Sequence, residues 1–138
     1  MISEKIMIDS NVLLDVLTED EKWFEWSAAQ ISRCAEHAVL CINPVIYAEV
    51  SIGFAQIEDL EAALPEDAFV RVHLPFEAAF LAGKCFMRYR RAGGLKRSPL
   101  PDFLIGAHAA VAKMTLLTRD NSRYRTYFPT LALISPES

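Results

Sequence analysis

"KIMIDSNVLLDVL", residues 5 to 17, sets an acid at the end of an apolar run. Lys5 to Ile8 read as a short buried strand, and an apolar helical pattern opens at Val12. Asp9, Ser10 and Asn11 stand between the two. A carboxylate at the end of a buried strand needs partners, because an isolated charge is costly to take out of water. The stretch therefore asks what else in the chain converges on that point.

Outward from it, short apolar runs recur at 39–42, 69–73, 115–117 and 131–134. Helical patterns lie near 11–17, 21–37, 44–54, 56–63, 76–92 and 102–113. Strands separated by helices predict parallel βαβ units, hence an α/β fold built as a three-layer sandwich, with one domain over residues 1–138. Thr18 with Glu21 reads as a capping box for the second helix. Asn43-Pro44 places a capping side chain before a proline at the first helical position. In the 76–92 helix, Phe76, Ala79, Phe80, Gly83 and Met87 recur at helical spacing and predict its buried stripe, which Gly93-Gly94 ends. "DFLIGAHAAVAKM", residues 102–114, is apolar on nearly every face, with small Gly106 and Ala110, and predicts a central buried helix.

Composition narrows the class. At 52% hydrophobic and 23% charged, the 138-residue chain fits a globular domain and not a disordered one. No apolar run approaches the roughly 18 residues of a membrane span, and the first ten residues lack a signal-peptide core. Cys34, Cys41 and Cys85 are odd in number and widely spaced, as expected of reduced thiols in a cytoplasmic protein. The net charge of -4 conceals an asymmetry. Residues 1–70 carry three basic residues against fourteen acidic ones, a net of -11, and residues 71–138 carry eleven against four, a net of +7. A polyanion or an acidic partner would meet the second half, unless the domain merely balances its faces.

In open parallel sheets, ligands bind beyond the carboxyl ends of the strands. Asp9 follows the first strand, Glu49 lies in the second turn of the helix after the second strand, and Asp120 follows the fourth strand by two residues. Asp102, in the first turn of its helix, joins them if that terminus faces the same edge. Each has a plainer alternative: a helix cap for Asp9, a solvated helix residue for Glu49, dipole pairing for Asp102, and an Asx turn for Asp120 with Asn121. Four carboxylates in one cleft would repel unless a cation neutralised them, and hard oxygen ligands suit Mg²⁺ or Mn²⁺. The matching chemistry is hydrolysis of phosphate esters by a metal-activated water. No phosphate-binding glycine loop and no G-x-S-x-G turn offers rival equipment.

Four blocks, "MIDSNVLLDVL" (7–17), "NPVIYAEV" (43–50), "SPLPDFLIGAHAAV" (98–111) and "TLLTRDNSRYRTYFP" (115–129), together resemble a PIN-domain ribonuclease, specifically the VapC-type toxin of bacterial toxin–antitoxin pairs. The resemblance spans essentially the whole chain. It implies a PIN-like sheet of about five parallel strands, order 3-2-1-4-5, flanked by helices. It also implies Mg²⁺- or Mn²⁺-dependent endonucleolytic cleavage of structured RNA, with transfer or ribosomal RNA as typical targets. Residue by residue it assigns Asp9, Glu49, Asp102 and Asp120 to the acidic site, with Ser10, Asn11 and Thr118 as supporting polar residues. Asn121 stands where relatives place a further acid, which puts full occupancy of a second metal position in doubt. A homodimer and a VapB-type antitoxin covering the cleft are implied as well.

Lys84, Arg88 and Arg91 recur at i, i+4 and i+7, and Arg90, Lys96 and Arg97 extend them toward Asp102. These, with Arg119, Arg123 and Arg125 around Asp120, are the candidate RNA-phosphate contacts. The alternatives are a solvated helix face, and for Arg119 a neighbouring acid. His108 lies six residues after Asp102, about 240° around the helix, so it predicts a hydrogen-bonded core histidine facing away from the acids. Asp15, six residues after Asp9, is left out of the site by the same arithmetic. Trp23 and Trp26, three apart, form either core or a partner-binding patch. Two other functions compete: a Mg²⁺-binding phosphotransfer or phosphatase domain, disfavoured because Arg119-Asp120 and no lysine follows the fourth strand, and a non-catalytic PIN-like binding module.

Overall fold

In the computed structural model, which describes residues 4–94 and 100–136, Ile6, Met7 and Ile8 have no exposed surface. A strand covered on both faces must be a continuous apolar run, which is how residues 5–8 read. This strand, β1 (Glu4–Ile8), pairs in parallel with β2 (Ala38–Ile42) on one edge and β4 (Thr115–Leu117) on the other. β3 (Val70–Arg71) pairs outside β2, and β5 (Leu133–Ile134) outside β4. The order is β3-β2-β1-β4-β5 with every pairing parallel. The helices flank the sheet: α1 (Ser10–Leu17), α2 (Phe24–Ala35), α3 (Pro44–Ser51), α4 (Ile57–Ala63), α5 (Phe76–Arg91), α6 (Leu100–Val111) and α7 (Ser122–Tyr127). Cys34, Cys41 and Cys85 are free and buried. Among the described residues no helix is long and apolar enough to cross a membrane.

Local chemistry accounts for several boundaries. Asn43 Oδ1 accepts from the Ile46 amide at 2.9 Å, and Pro44 occupies the first position of α3. Gly93, at φ 88°, supplies the left-handed residue that ends α5. Gly106 is required by close approach: a Cβ there would fall 2.6 Å from the Phe128 ring and 3.0 Å from the Tyr124 ring. His108 is buried in α6, and its Nδ1 accepts from the Asn43 amide nitrogen at 3.0 Å. Burial holds its pKa below the usual histidine value, so the ring is a neutral core group.

The structure departs from the sequence reading in three places. Thr18 ends α1, its hydroxyl donating to the Leu14 carbonyl at 2.7 Å, so no capping box forms with Glu21. Asp20 instead accepts from the Lys22 and Trp23 amides at 3.1 and 2.9 Å in the turn before α2. The expected stripe on α5 is also out of phase. Phe76 and Phe80 are 94% and 68% exposed, while Ala78, Ala82 and Cys85 are buried. The period was right, but α5 packs against α6 through small side chains, and close helix contact selects these over large apolar ones. Finally, α7 was not anticipated. Its only apolar signal is Tyr124 with Phe128, buried at i and i+4, too short for periodicity to announce.

Candidate active site

Asp9 leaves β1 in extended conformation (φ -64°, ψ 150°) and caps α1, its Oδ1 accepting from the Ser10 amide at 2.7 Å. Its backbone amide donates to the Leu117 carbonyl at 2.9 Å, tying it to the neighbouring strand β4. The side chain is only 2% exposed. Oδ2 accepts from Thr118 Oγ1 at 2.8 Å, Tyr124 Oη at 2.9 Å and Asn11 Nδ2 at 3.4 Å. Burial pushes the Asp9 carboxyl up to about 6, against the lowering effect of its Thr118 and Tyr124 hydrogen bonds, and the charge of Asp102 pushes the same way as burial. Capping and site membership are thus compatible roles for this one carboxylate.

The remaining acids gather around it. Glu49, in the second turn of α3, is half-buried, and Ser10 Oγ donates to its Oε1 at 2.6 Å. Burial raises the Glu49 carboxyl, and so does Asp102. Asp102, in the first turn of α6, is raised by burial; Arg123 opposes this and Asp120 adds to it. Asp120 follows β4 on the exposed rim, with Ser122 Oγ 3.4 Å from its Oδ1. Asp102 therefore feels, or is felt by, each of the other three. Yet they do not form a ready coordination shell: among the described residues, no group of three or more His, Cys, Asp or Glu is placed to hold a metal ion. Asp102 Oδ2 instead accepts from Arg123 Nη1 at 2.5 Å. The donor chemistry still suits a hard divalent cation, since three of these carboxylates carry raised pKa values that a positive ion would relieve.

The supporting polar residues form one network. Ser10 bridges Asp9 and Glu49. Asn11 Nδ2 reaches Thr118 Oγ1 at 3.3 Å as well as Asp9, and its Oδ1 accepts from the Arg119 amide at 3.2 Å. Tyr124 escaped the sequence reading, and Asp15, which that reading sets outside the site, joins the network only through Arg119. Tyr124 is 1% exposed and holds Asp9 through its hydroxyl. Asp15, 3% exposed, accepts from Ser27 Oγ at 2.6 Å and from Arg119 Nε and Nη2 at 2.6 and 3.0 Å. An aspartate inside the apolar run "VLLDVL" was the signal for the second; nothing in one sequence pairs it with a residue 104 positions on.

The candidate phosphate contacts divide. Lys84, Arg88 and Arg91 are exposed on α5, Lys84 lying 5.0 Å from the Phe80 ring centre and Arg88 5.2 Å from that of Tyr127. Arg119 is committed to Asp15 and lies 5.2 Å from the Trp23 ring centre, so it braces α1 against the β4–α7 turn. Arg123 is committed to Asp102. Lys96 and Arg97 lie outside the described residues. Trp23 and Trp26 meet edge to face at 6.0 Å and are partly buried. A cleft of about 470 Å³ lies elsewhere, beside Asn43, Tyr47, Arg71 and His73, and none of the four acids lines it.

The PIN domain family model matches residues 6–129. The chain is a PIN-domain protein. No curated protein matches it. Among solved structures it is similar to VapBC2 from Rickettsia felis, bound there to a promoter DNA fragment, at 18% identity and TM-score 0.71 over 95% of this chain and 98% of that one. VapBC-1 from nontypeable Haemophilus influenzae matches at 17% identity and TM-score 0.71, over 95% and 97% of the two chains. FitAcB from Neisseria gonorrhoeae matches at 18% and 0.70, over 94% and 96%. At such identities these likenesses speak to the fold, and the PIN architecture is the one they share with this chain.

Proposed function

We propose that this PIN-domain protein is a VapC-type toxin, a cytoplasmic endoribonuclease that uses Mg²⁺ or Mn²⁺ to hydrolyse phosphodiester bonds in structured RNA, transfer or ribosomal. The observation that carries the proposal is geometric: at the carboxyl ends of β1 and β4, Ser10 joins buried Asp9 to Glu49, Thr118 joins it to the backbone of Asp120, and Asp102 stands in the first turn of α6. In this reading Asp9, Glu49, Asp102 and Asp120 would hold the metal, which when bound would supply an activated water and offset charge on the leaving oxygen. Ser10 orients Asp9 and Glu49 together. Thr118, Tyr124 and Asn11 donate to Oδ2 of Asp9 and hold its side chain in place. Lys84, Arg88 and Arg91 offer charge to the phosphate backbone without reading its bases. VapBC and FitAcB neighbours support a VapB-type antitoxin partner, and the exposed Phe76 and Phe80 support a homodimer.

The test incubates the purified chain and its Asp9→Asn variant with total bacterial RNA, Mg²⁺ or Mn²⁺, and an EDTA control, and maps cut ends by sequencing. Discrete cuts that need both metal and Asp9 are the expected result. A second reading, a non-catalytic binding module, draws on the hold of Arg123 on Asp102. RNA that is bound but left intact by the wild-type chain selects that reading and overturns the first.

A further inference from the structure

The carboxyl edge of the sheet carries a second feature beside the acids. The cleft of about 470 Å³ is walled by Asn43 and Pro44 after β2, Tyr47 of α3, Glu66, and Arg71 and His73 at and beyond the end of β3. Its volume falls in the range of small-ligand sites. The register that sets Met7 beside Cys41 carries Asp9 to the level of Asn43. The backbone of the cleft wall therefore stands about one strand spacing, roughly 5 Å, from that of the buried acid. Helix α3 borders both places: Glu49 meets Ser10, and Tyr47, two residues earlier and about 200° around the helix, lines the cleft.

The wall is built around a stacked pair. The Arg71 guanidinium carbon lies 5.2 Å from the Tyr47 ring centre. Arg71 Nη2 donates to Glu61 Oε1 at 3.0 Å and to the Leu64 carbonyl at 3.2 Å, and Nη1 donates to Glu66 Oε2 at 3.4 Å. Tyr47 Oη donates to Glu61 Oε2 at 2.5 Å, so one carboxylate holds ring and guanidinium to each other. The charge of the wall selects the guest. One guanidinium is answered by two carboxylates, which leaves nothing to attract a phosphate. A neutral planar group with N–H donors fits better, because the exposed Glu66 carboxylate can accept from it. RNA bases are such groups: when splayed out of a loop, they stack on aromatic rings and on arginine planes.

We infer that this cleft receives one unpaired base of the RNA substrate, stacked on the Tyr47–Arg71 pair, while the phosphodiester to be cut lies at the acids one strand away. The inference rests on the nuclease reading above and deepens it. Substrate choice then depends on a base held at the ends of β2 and β3 as well as on backbone charge.

The experiment measures fluorescence anisotropy of a labelled single-stranded RNA of about 12 nucleotides, within the span such sites cover, and of an abasic strand of the same length. Both are titrated at several salt concentrations in EDTA, which keeps metal-dependent cleavage out of the reading. Tyr47→Leu should weaken binding of the base-bearing strand about five- to a hundredfold, the worth of one stacked base. Binding of the abasic strand and the salt dependence should not change, because no phosphate contact is lost. Tyr47→Phe, which keeps the ring, should bind within about twofold of wild type. Undiminished binding by Tyr47→Leu overturns the inference. So does an equal loss for both strands, or a salt slope smaller by about 1, which marks a phosphate contact. If Tyr47→Leu does not fold, ultraviolet crosslinking of the wild type to RNA carrying 5-iodouridine decides. An adduct on Tyr47 or His73 is the expected result, and adducts confined to other residues overturn the inference. Cleavage by the wild type with no base-dependent binding at Tyr47 removes this inference and leaves the nuclease reading. Base-dependent binding by a chain that cuts no RNA does the reverse.

Discussion

Replacing Asp15 with alanine would leave the Arg119 guanidinium without its buried counter-charge and Ser27 without its acceptor. Asp15 is 3% exposed and receives three hydrogen bonds, all at 3.0 Å or less. Breaking a buried ion pair from one side typically costs about 3–5 kcal/mol. The Arg119 side chain is 29% exposed, so water recovers part of that, and about 2–4 kcal/mol is the expected loss. For a domain of this size that is a fall of roughly 6–12 °C in Tm. The partner experiment removes both charges at once, Asp15→Leu with Arg119→Met. Apolar replacement of a whole buried pair is often close to neutral, so the double variant should recover most of the loss, with a coupling energy of about 2 kcal/mol. Urea unfolding followed by tryptophan fluorescence is a suitable assay, because Trp23 stacks on Arg119 and reports the site directly. A cost below about 1 kcal/mol for Asp15→Ala, or a double variant as unstable as the two singles combined, would refute the reasoning.

Two further predictions follow from the same geometry. Asp9 is raised from 3.8 to about 6 by burial, so the stability its protonated form contributes is present below about pH 4 and lost as pH rises through 6. Asp9→Asn should therefore melt above wild type in EDTA at pH 7.5, by up to about 3 kcal/mol, and lose that advantage near pH 4; equal melting at pH 7.5 would mean the buried charge is not a burden. Gly106→Ala gains about 1 kcal/mol of helix propensity but drives a methyl into the Phe128 and Tyr124 rings, for a net loss of about 1–2 kcal/mol and slower RNA cleavage, because Tyr124 holds Asp9. An unchanged Tm would show that those rings yield freely.

Much of this arrangement is legible in the sequence. The strands are, because a strand buried on both faces has no choice but to be apolar throughout, as Ile6-Met7-Ile8 and Leu40-Cys41-Ile42 show. The start of α3 is, because Asn43-Pro44 acts on its own backbone. Asp9 is legible as an anomaly, since an acid that ends a central strand must be answered by something. The phase of α5 is not. Periodicity weighs large side chains most heavily, while the α5–α6 contact selects small ones, and only the neighbouring helix settles which face is covered.

The site divides along the same line. Sequence alone placed Asp9, Glu49 and Asp120 at a strand end or in a helix turn after one, and left Asp102 dependent on which edge its helix terminus faces. Only the tertiary structure decided how those charges are answered. Arg119 goes to Asp15 and not to solvent, Arg123 to Asp102, and Tyr124 to Asp9, across separations of 104, 21 and 115 residues. Hydrogen bonds of that span depend on where the sheet order brings β4 and α7 beside β1, and no local propensity encodes the pairing of one particular donor with one particular acid.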